Sequence, residues 1–498
     1  MNLDKIMSPT LILIVIVIYF AALLTISYYT SRNADSNAFF TANKQSPWFL
    51  VAFGMIGTSI SGVTFISVPG AVGATAFSYF QIILGHIVGY IVIGTVLMPL
   101  YYRMNLVSIY TYLEKRLGFW SYKTGAAFFL LSRTIGSSLR LYLAAAVLQL
   151  FLFDQWGIPF FVTVAITIIL IWLYTYRGGV KTIIWTDSFQ TIFLISSLIV
   201  SVFLISNHLG WSFGEMFSHV KDSKYSQIFF WDFKDNKYFF KHFISGAFLA
   251  IVMTGLDQDL MQKNLTCRNI KEAQKNMFWF TVTLVFVNIM FLTLGALLYL
   301  YCEAKGITLP TRSDDLYPTL ALNNFGILAG LCFLLGIIAS SYASADSALA
   351  ALTTSYCIDF LDFKNKEESV RQKQKFIVHI GFSVVFFLVI IIFKEVNSQS
   401  VISSVLKMAS YTYGPLLGLF SFGILTKRKV LDNVSPFICV AAPLLTYIIS
   451  SNSEQWFRGY KFSFEILLVN GLLCFLGLLI FSKHDEDFKS LNRDVASS

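Results

Sequence analysis

A stretch between residues 340 and 347 places hydroxyl groups and a carboxylate inside a long apolar segment. Ser340, Ser344 and Ser347 share one face of a helix, because successive residues are rotated by about 100°, and Asp346 lies at the edge of that face. Hard cations take oxygen ligands, so this face would suit Na⁺. Serine hydroxyls can instead donate to carbonyls of their own helix. That alternative explains the serines but does not explain the aspartate.

Asp187 lies several residues inside another apolar segment. A charged side chain at such a depth is costly, which makes it a functional candidate. We expect this carboxylate to hold a cation or a proton. A structural pair with an arginine or a hydroxyl is the alternative. Asp187 and Asp346 together could form an intramembrane protease dyad, but the sequences around them give that hypothesis little support.

Four further polar side chains in apolar segments are candidates for solute contacts. Arg133 and Arg140 are seven residues apart and so share a helix face. Each could bind an anionic group of a solute or pair with Asp187, and pairing with an acid is the outcome we expect. His86 could contact a solute or only pack. Lys407 could contact an anion or extend its amine to the membrane surface.

The element that must position these groups is the segment from Pro47 to Pro69. It is apolar and long enough to span a bilayer, yet glycines and hydroxyl residues crowd its centre, from Gly54 onward. Such residues weaken a helix. A helix that opens in a membrane frees carbonyls that need a partner, and transporters build ion and solute sites in this way. Close helix packing is the alternative. The hydroxyls of this segment that we consider candidate solute contacts are Ser59, Ser61 and Thr64.

Composition identifies a polytopic α-helical membrane protein. Of the 498 residues, 56% are hydrophobic and 13% are charged, and this charged share is about half the usual one. Long apolar runs alternate with clusters of charge. We predict thirteen transmembrane spans, centred near residues 19, 58, 88, 137, 167, 195, 248, 289, 338, 384, 411, 441 and 472.

The connections between the predicted spans alternate in charge, and one set carries most of the basic residues, for example Lys263, Arg268, Lys271 and Lys275. The positive-inside rule assigns that set to the cytoplasm. We therefore expect the N-terminus outside, the C-terminus inside, and a location in the plasma membrane, or in the inner membrane of a Gram-negative source. The net charge of +9 reflects this topology, so no nucleic-acid partner is expected. The six scattered cysteines predict neither a metal site nor a disulfide framework.

The seventh predicted span repeats the pattern of the second. We expect it to be interrupted at Gly246 and Gly255, and it ends at Asp257. Paired interrupted helices at matching places suggest two inverted five-helix repeats. We therefore predict a single transporter domain with these parts: a peripheral first helix (8–30), two repeats (46–206 and 237–422), two peripheral helices (431–482) and a cytoplasmic tail (483–498).

Separated motifs resemble the sodium/solute symporter family in the same order along the chain. They are residues 62–69 (GVTFISVP), 178–179 (GG), 185–190 (WTDSFQ), 257–262 (DQDLMQ), 272–275 (EAQK), 344–359 and 414–420 (GPLLGLF). The resemblance extends from about residue 10 to 482. It implies an all-α, leucine-transporter-like fold of two inverted repeats plus peripheral helices.

The resemblance also implies a main sodium site formed by carbonyls of the first interrupted helix and by groups of the ninth span. The matching positions are Gly57, Ile60, Ser340, Ala343 and Ser344. Ala343 departs from the pattern, because family members often have a serine hydroxyl there. The site is therefore one ligand short unless water or Asp346 substitutes.

A second cation site, present in some family members, would match Asp187, Ala343, Asp346 and Ser347. A carboxylate here replaces a serine at residue 346. The second site would therefore be more strongly attractive to cations, or Asp346 would titrate and couple protons.

Three other positions bear on the solute that the resemblance implies. The arginine that binds the carboxylate of sialic acid in relatives matches Gly136, which argues against that solute. His86 matches a solute-contacting position. Met253 falls near the inner aromatic gate of the galactose carrier.

We expect a sodium-coupled symporter that imports a small polar organic solute by alternating access with one or two Na⁺. Sugars or polyols rank first by family frequency. The alternatives are an organic anion such as a sialic or other carboxylated sugar, because of Arg133, Arg140 and Lys407, and proton-coupled uptake through Asp346. A solute sensor or a membrane enzyme ranks last, and the enzyme is disfavoured because the sequence carries no nucleophile elbow, phosphate loop or metal cluster. The expected partners are the solute and the lipid bilayer, and the expected state is a monomer.

Overall fold

The computed structural model describes residues 9–32, 35–363, 366–396 and 401–484. Across these ranges the chain folds almost entirely into helices, as its apolar composition predicts. The predicted cytoplasmic tail beyond His484 and the first residue of the predicted helix 8–30 lie outside the described residues.

The first half of the chain contains eleven α-helices in the described ranges, joined in places by short 3₁₀ or π turns. They are α1 (Pro9–Ser31), α2 (Ser36–Thr41), α3 (Trp48–Ser59), α4 (Gly62–Thr75), α5 (Tyr79–Val92), α6 (Met98–Arg103), α7 (Thr111–Arg116), α8 (Phe119–Leu148), α9 (Phe160–Thr175), α10 (Gly179–His208) and α11 (Phe213–Asp222).

The second half contains eleven more helices and one antiparallel strand pair in the part of the chain that is described. The helices are α12 (Phe239–Ala250), α13 (Gln258–Asn264), α14 (Ile270–Lys305), α15 (Leu316–Asn323), α16 (Gly326–Ser355), α17 (Glu368–Val396), α18 (Val401–Thr412), α19 (Gly414–Leu425), α20 (Ser435–Ser451), α21 (Ser453–Trp456) and α22 (Ile466–Ile480). The strands are β1 (Arg428–Val430) and β2 (Ser482–His484).

The helices agree with the predicted positions of the spans. Every predicted span centre lies on a helix. Among the described residues, seven helices are long and apolar enough to cross a membrane, or eight if one bent pair counts as a single span. The count of thirteen spans and the division into repeats therefore stay predictions.

The predicted interruption of the second span is confirmed at Ile60 and Ser61. Helix α3 ends at Ser59, both interrupting residues have non-helical backbone angles, and α4 begins at Gly62. A Cβ at Gly62 would lie 2.1 Å from the Ser341 hydroxyl on α16. Only a glycine therefore lets the start of α4 approach α16 this closely.

The seventh span is interrupted after Gly255, also as predicted. Helix α12 continues into a π turn (Ile251–Gly255), and α13 then departs at 69°. The carboxylate of Asp257 caps α13 by accepting a hydrogen bond from the amide of Asp259. The prediction is wrong at Gly246, where the helix is continuous. A Cβ at Gly246 would lie 2.2 Å from the carbonyl oxygen of Ile82, so this glycine permits packing of α12 on α5.

Helices α10 and α16 pack against each other, and both contact α3. Helix α16 also contacts α4 and α8, while α5 packs along α12. Both interruptions are therefore enclosed by protein, which is what backbone without helical hydrogen bonds requires in a membrane.

Candidate functional site

A cavity of about 100 Å³ lies beside the interruption between α3 and α4. It contacts α5, α8, α12 and α18 as well, so both interrupted helices contribute to its wall. The five predicted solute contacts all line it: Ser59, Ser61, Thr64, His86 and Met253. Much of the remaining wall is apolar. We therefore describe this cavity as the candidate solute site.

Among the described residues, two arginines and no carboxylate line the candidate solute site. Arg133 and Arg140 contribute from positions two turns apart on α8. Lys407, the third predicted anion contact, is exposed and is not part of the wall. Its position fits the alternative in which the amine reaches the membrane surface.

Sequence reasoning missed several polar residues of this wall. Tyr90 lies four residues after His86 and thus on the same face of α5, a spacing that could have revealed it. Thr254 precedes Gly255 at the second interruption, so it could have been proposed by analogy with the first. Tyr79 also lines the cavity and lies seven residues before His86, so the same spacing could have revealed it, whereas no pattern in the sequence distinguishes Asn288.

The two arginines differ in their partners. Arg133 is buried and forms an ion pair with Asp259, and its other guanidinium nitrogen lies 3.9 Å from Asp257. Arg140 donates a 3.3 Å hydrogen bond to the Ser344 hydroxyl and forms no ion pair with any described residue. The expected acid partner therefore exists for Arg133 only. It is not Asp187, because the N-terminal end of α13 presents its own acids, Asp257 and Asp259, to α8.

Asp187 pairs with a residue that sequence reasoning assigned to a cytoplasmic connection. Its carboxylate accepts hydrogen bonds from the Lys263 amine and, at 2.8 Å, from the Thr58 hydroxyl. The Lys263 amine also donates to Thr58. Lys263 is only 1% exposed, because α13 turns back into the protein after the second interruption. The assignment of Lys263 to the cytoplasmic surface was therefore wrong.

The other two members of the predicted second cation site also have partners in the protein. Asp346 is fully buried and accepts a 2.8 Å hydrogen bond from the Tyr174 hydroxyl. Ser347 donates to the carboxylate of Asp259. Both groups are therefore part of the network that joins α8, α9, α13 and α16.

The predicted main sodium ligands lie on the two segments that meet at the first interruption. The Ile56 carbonyl accepts from the Ile60 amide and the Ser61 carbonyl from the Phe65 amide. Within the described residues, the carbonyls of residues 57–60 accept no hydrogen bond from the backbone amides of residues 61–64, which would be their partners in a continuous helix. Gly57 and Ile60 therefore offer carbonyl oxygens.

The facing residues on α16 are Ser340, Ala343 and Ser344, and all three are fully buried. The Ser340 hydroxyl donates at 3.1 Å to the carbonyl of Ile337 in its own helix, while Ser344 accepts from Arg140. A hydroxyl that donates keeps lone pairs for a cation. This set of neutral oxygens suits a hard monovalent ion, although Ala343 supplies none from its side chain.

The known proteins that this chain resembles are sodium-coupled transporters. The model of the "Sodium:solute symporter family" matches residues 39–431. The sodium/sialic acid symporter NanT of Aliivibrio fischeri is 24% identical over 464 residues, covering 90% of this chain and 89% of the relative. The sodium-coupled monocarboxylate transporter 1 of Xenopus laevis is 26% identical over 395 residues, covering 75% of this chain and 61% of the relative.

A solved structure shares the fold. The substrate-bound outward-open structure of a Na⁺-coupled sialic acid symporter superimposes with a TM-score of 0.80 at 19% identity, covering 95% of this chain and 99% of that one. This similarity confirms the predicted leucine-transporter-like fold.

Proposed function

Because this chain belongs to the sodium:solute symporter family, we propose that it imports a small organic monocarboxylate together with Na⁺. The membership confirms the resemblance found in the sequence and makes the protein a multi-pass membrane transporter of a small solute, and not an enzyme. Na⁺ is the coupling ion. The class of solute and the residues that bind it are the proposed parts.

The proposal rests on the guanidinium of Arg140, which forms no ion pair with any described residue. It lines a cavity to whose wall the described part of the chain contributes no carboxylate, and its hydrogen bond to Ser344 is to a neutral hydroxyl. A charged group inside a membrane protein requires a partner. A carboxylate on the solute would supply the missing negative charge, and a guanidinium binds a carboxylate through two parallel hydrogen bonds.

Arg140 lies close to Gly136, the position that matches the sialic-acid-binding arginine of relatives. Arg140 follows Gly136 by four residues, so the two positions lie on one face of α8, a single turn apart. A Cβ at Gly136 would meet no atom within 4 Å. A guanidinium displaced by one turn therefore has open space beside it, and the absence of arginine at position 136 does not exclude an anionic solute.

The relatives support an anion over the sugar or polyol that sequence reasoning ranked first. The two relatives described above are named for acids, one for sialic acid and one for monocarboxylates. The small volume of the cavity and its apolar residues, among them Ile82, Ile83 and Leu249, favour a short carboxylate over a bulky acid sugar. A neutral sugar would leave Arg140 without a counter-charge.

Ser344 connects the proposed sodium site with the proposed solute contact at Arg140. Its hydroxyl is a proposed sodium ligand and also accepts the hydrogen bond from Arg140. A carboxylate on Arg140 and a Na⁺ beside Ser344 would therefore lie close enough to attract each other. Each ligand would raise the affinity for the other by the same factor, as linkage requires.

The proposal is tested by uptake into proteoliposomes of labelled lactate, a labelled sialic acid and labelled glucose, each with an inward Na⁺ gradient. We expect lactate to be accumulated and glucose to be excluded. Uptake of glucose, or accumulation that follows a pH gradient and ignores Na⁺, would contradict the proposal. Accumulation that follows a pH gradient would favour proton coupling through Asp346.

Arg140→Gln tests the proposed carboxylate contact. We expect it to lower the affinity for lactate by about tenfold or more, because a hydrogen bond to a charged group contributes roughly 1.5–3 kcal/mol. Lys407→Gln is the matched control, since it removes a basic residue that is exposed and lies away from the cavity wall. Equal lactate affinity in the wild type and Arg140→Gln would remove Arg140 from the solute site.

A further inference from the structure

Lys263, Asp187 and Thr58 form a buried group of three side chains, the ammonium triad. The Lys263 amine donates to both partners, and the Thr58 hydroxyl donates to the same carboxylate oxygen of Asp187 at 2.8 Å. All three side chains are at most 1% exposed. The triad joins α3, α10 and α13, so it connects both interrupted helices to a central one.

The amine of Lys263 meets the electrostatic requirement of Asp187. A buried carboxylate needs a positive charge close by, and an ammonium group carries the same single charge as Na⁺. Like Na⁺ it interacts with oxygen atoms, although it does so by donating hydrogen bonds, here to Thr58 and Asp187. Unlike Na⁺, it is attached to the chain and remains with the protein through the whole transport cycle.

Few oxygens near residues 343–347 are left for a cation, and one of them is the carboxylate oxygen of Asp346 that has no hydrogen-bond partner among the described residues. Residue 343 is an alanine without a side-chain oxygen. Asp346 accepts from Tyr174, and Ser347 donates to Asp259. The predicted second cation site thus has its principal carboxylate paired with Lys263 and two of its other groups engaged elsewhere.

We propose that the Lys263 ammonium takes the place of a second Na⁺, so that this transporter binds one Na⁺ per solute. The proposal rests on the proposed function and adds the ion stoichiometry to it. Thr58 and Asp187 hold the ammonium, and the single Na⁺ binds at the main site between residues 57–60 and α16. Lys263 thereby determines how many ions are coupled.

Coupling to a single Na⁺ limits the driving force for solute accumulation. One Na⁺ with one monocarboxylate anion moves no net charge, so the membrane potential does not drive the process. A tenfold Na⁺ gradient then supports at most about tenfold accumulation of the solute. With two Na⁺ per anion, the same gradient would support about a hundredfold accumulation, multiplied further by the potential.

The deciding experiment measures the ratio of radioactive sodium to labelled lactate that enters proteoliposomes, with the potential set by a potassium gradient and valinomycin. For the wild type we expect one Na⁺ per lactate, a Hill coefficient for Na⁺ close to one, and an uptake rate independent of the potential. Two Na⁺ per lactate with a rate that rises at negative potential would overturn the proposal and leave the proposed function intact. Absence of any Na⁺-dependent lactate uptake would instead refute the proposed function.

Lys263→Ala tests whether Na⁺ takes the place of the ammonium. We expect two Na⁺ per lactate, a Hill coefficient above one, and uptake that accelerates at negative potential. Lys263→Arg retains a cation and should keep the wild-type ratio, as should Lys271→Ala, which changes an exposed lysine on α14. An active Lys263→Ala protein that keeps one Na⁺ per lactate would overturn the assignment of Lys263.

If Lys263→Ala is inactive, the double variant Asp187→Asn/Lys263→Ala decides the question. It removes both charges of the triad, and we expect it to recover uptake with one Na⁺ per lactate. No recovery, in a protein with a normal melting temperature, would contradict the inference. The wild-type ratio stands as a test even if no variant folds.

Discussion

The interruption between α3 and α4 and the interruption between α12 and α13 differ in the groups that lie beside them. No charged residue occurs between residues 48 and 75. The first interruption therefore offers neutral oxygens, namely the carbonyls of residues 57–60 and the hydroxyls of Ser59 and Ser61. These oxygens lie next to the candidate solute site and next to α16.

The second interruption is surrounded by charged side chains that the protein itself neutralises. Asp257 and Asp259 face Arg133, and the Tyr413 hydroxyl also donates to Asp257. Lys263, at the other end of α13, pairs with Asp187. Every charge of α13 that points into the protein thus has an opposite charge within the chain.

This difference separates two tasks of a broken helix in a membrane. An interruption that must bind and release ligands in each cycle has to leave polar atoms available to those ligands. An interruption that only has to keep its shape can be closed by permanent ion pairs. The first interruption and Arg140 belong to the former kind, and the second interruption belongs to the latter.

Replacing Arg133 and Arg140 separately with methionine tests this comparison most sharply, and Arg133→Met has the largest expected effect. Arg133→Met leaves Asp259 buried without its cation, which costs about 3–5 kcal/mol of folding free energy. We expect a strongly lowered melting temperature in detergent. Arg140→Met should keep the melting temperature and lose lactate uptake. Equal destabilisation by both substitutions would show that Arg140 also has a permanent partner.

Gly62→Ala should have the next largest effect, because it forces the two segments of the main sodium site apart. The added Cβ would lie 2.1 Å from the Ser341 hydroxyl and 3.1 Å from the Ile337 side chain. Overpacking of this kind costs about 1–3 kcal/mol, and we expect weaker Na⁺ affinity in the uptake assay.

Two further variants make the Gly62 prediction specific. Gly62→Ala/Ser341→Ala removes the nearer clash and should recover part of the Na⁺ affinity. Gly214→Ala is the matched control, since a Cβ there would meet no atom within 4 Å. Unchanged Na⁺ dependence in Gly62→Ala would mean that α4 does not need its close approach to α16.

Much of the fold could be predicted from the sequence, because apolar length and glycine content act locally. The break at Ile60 follows from residues that weaken a helix in the middle of a span. The same reasoning failed at Gly246, where the glycine lets the Ile82 carbonyl approach. A glycine that breaks a helix and a glycine that lets two helices touch look alike in a sequence.

The candidate site could be predicted only in part, for a related reason. The wall residues near the first interruption were found because polar residues are conspicuous in an apolar segment. Lys263 was missed because its number falls in a basic stretch that continues to Arg268, Lys271 and Lys275. Only the 69° bend before α13 brings this amine to Asp187, and pairing across 76 residues leaves no local signal.

Ser344→Ala tests the first interruption with a smaller change. We expect the Na⁺ concentration for half-maximal uptake to rise roughly five- to tenfold, equivalent to about 1–1.4 kcal/mol. Ser340→Ala should have less effect, because its hydroxyl is bonded to the carbonyl of Ile337. A larger effect of Ser340→Ala would reverse the ranking of the two proposed ligands.

Tyr413→Phe is expected to have the smallest effect, because it removes one hydrogen bond from the interruption that is already neutralised. The Tyr413 hydroxyl donates to Asp257, whose carboxylate also accepts from the Asp259 amide and lies 3.9 Å from Arg133. With those partners left in place, we expect a loss of about 0.5–1 kcal/mol of folding free energy and an unchanged Na⁺ dependence of uptake. A shift of Na⁺ affinity as large as that of Ser344→Ala would contradict the division between the two interruptions, because it would mean that the ion pairs of α13 rearrange when Na⁺ binds.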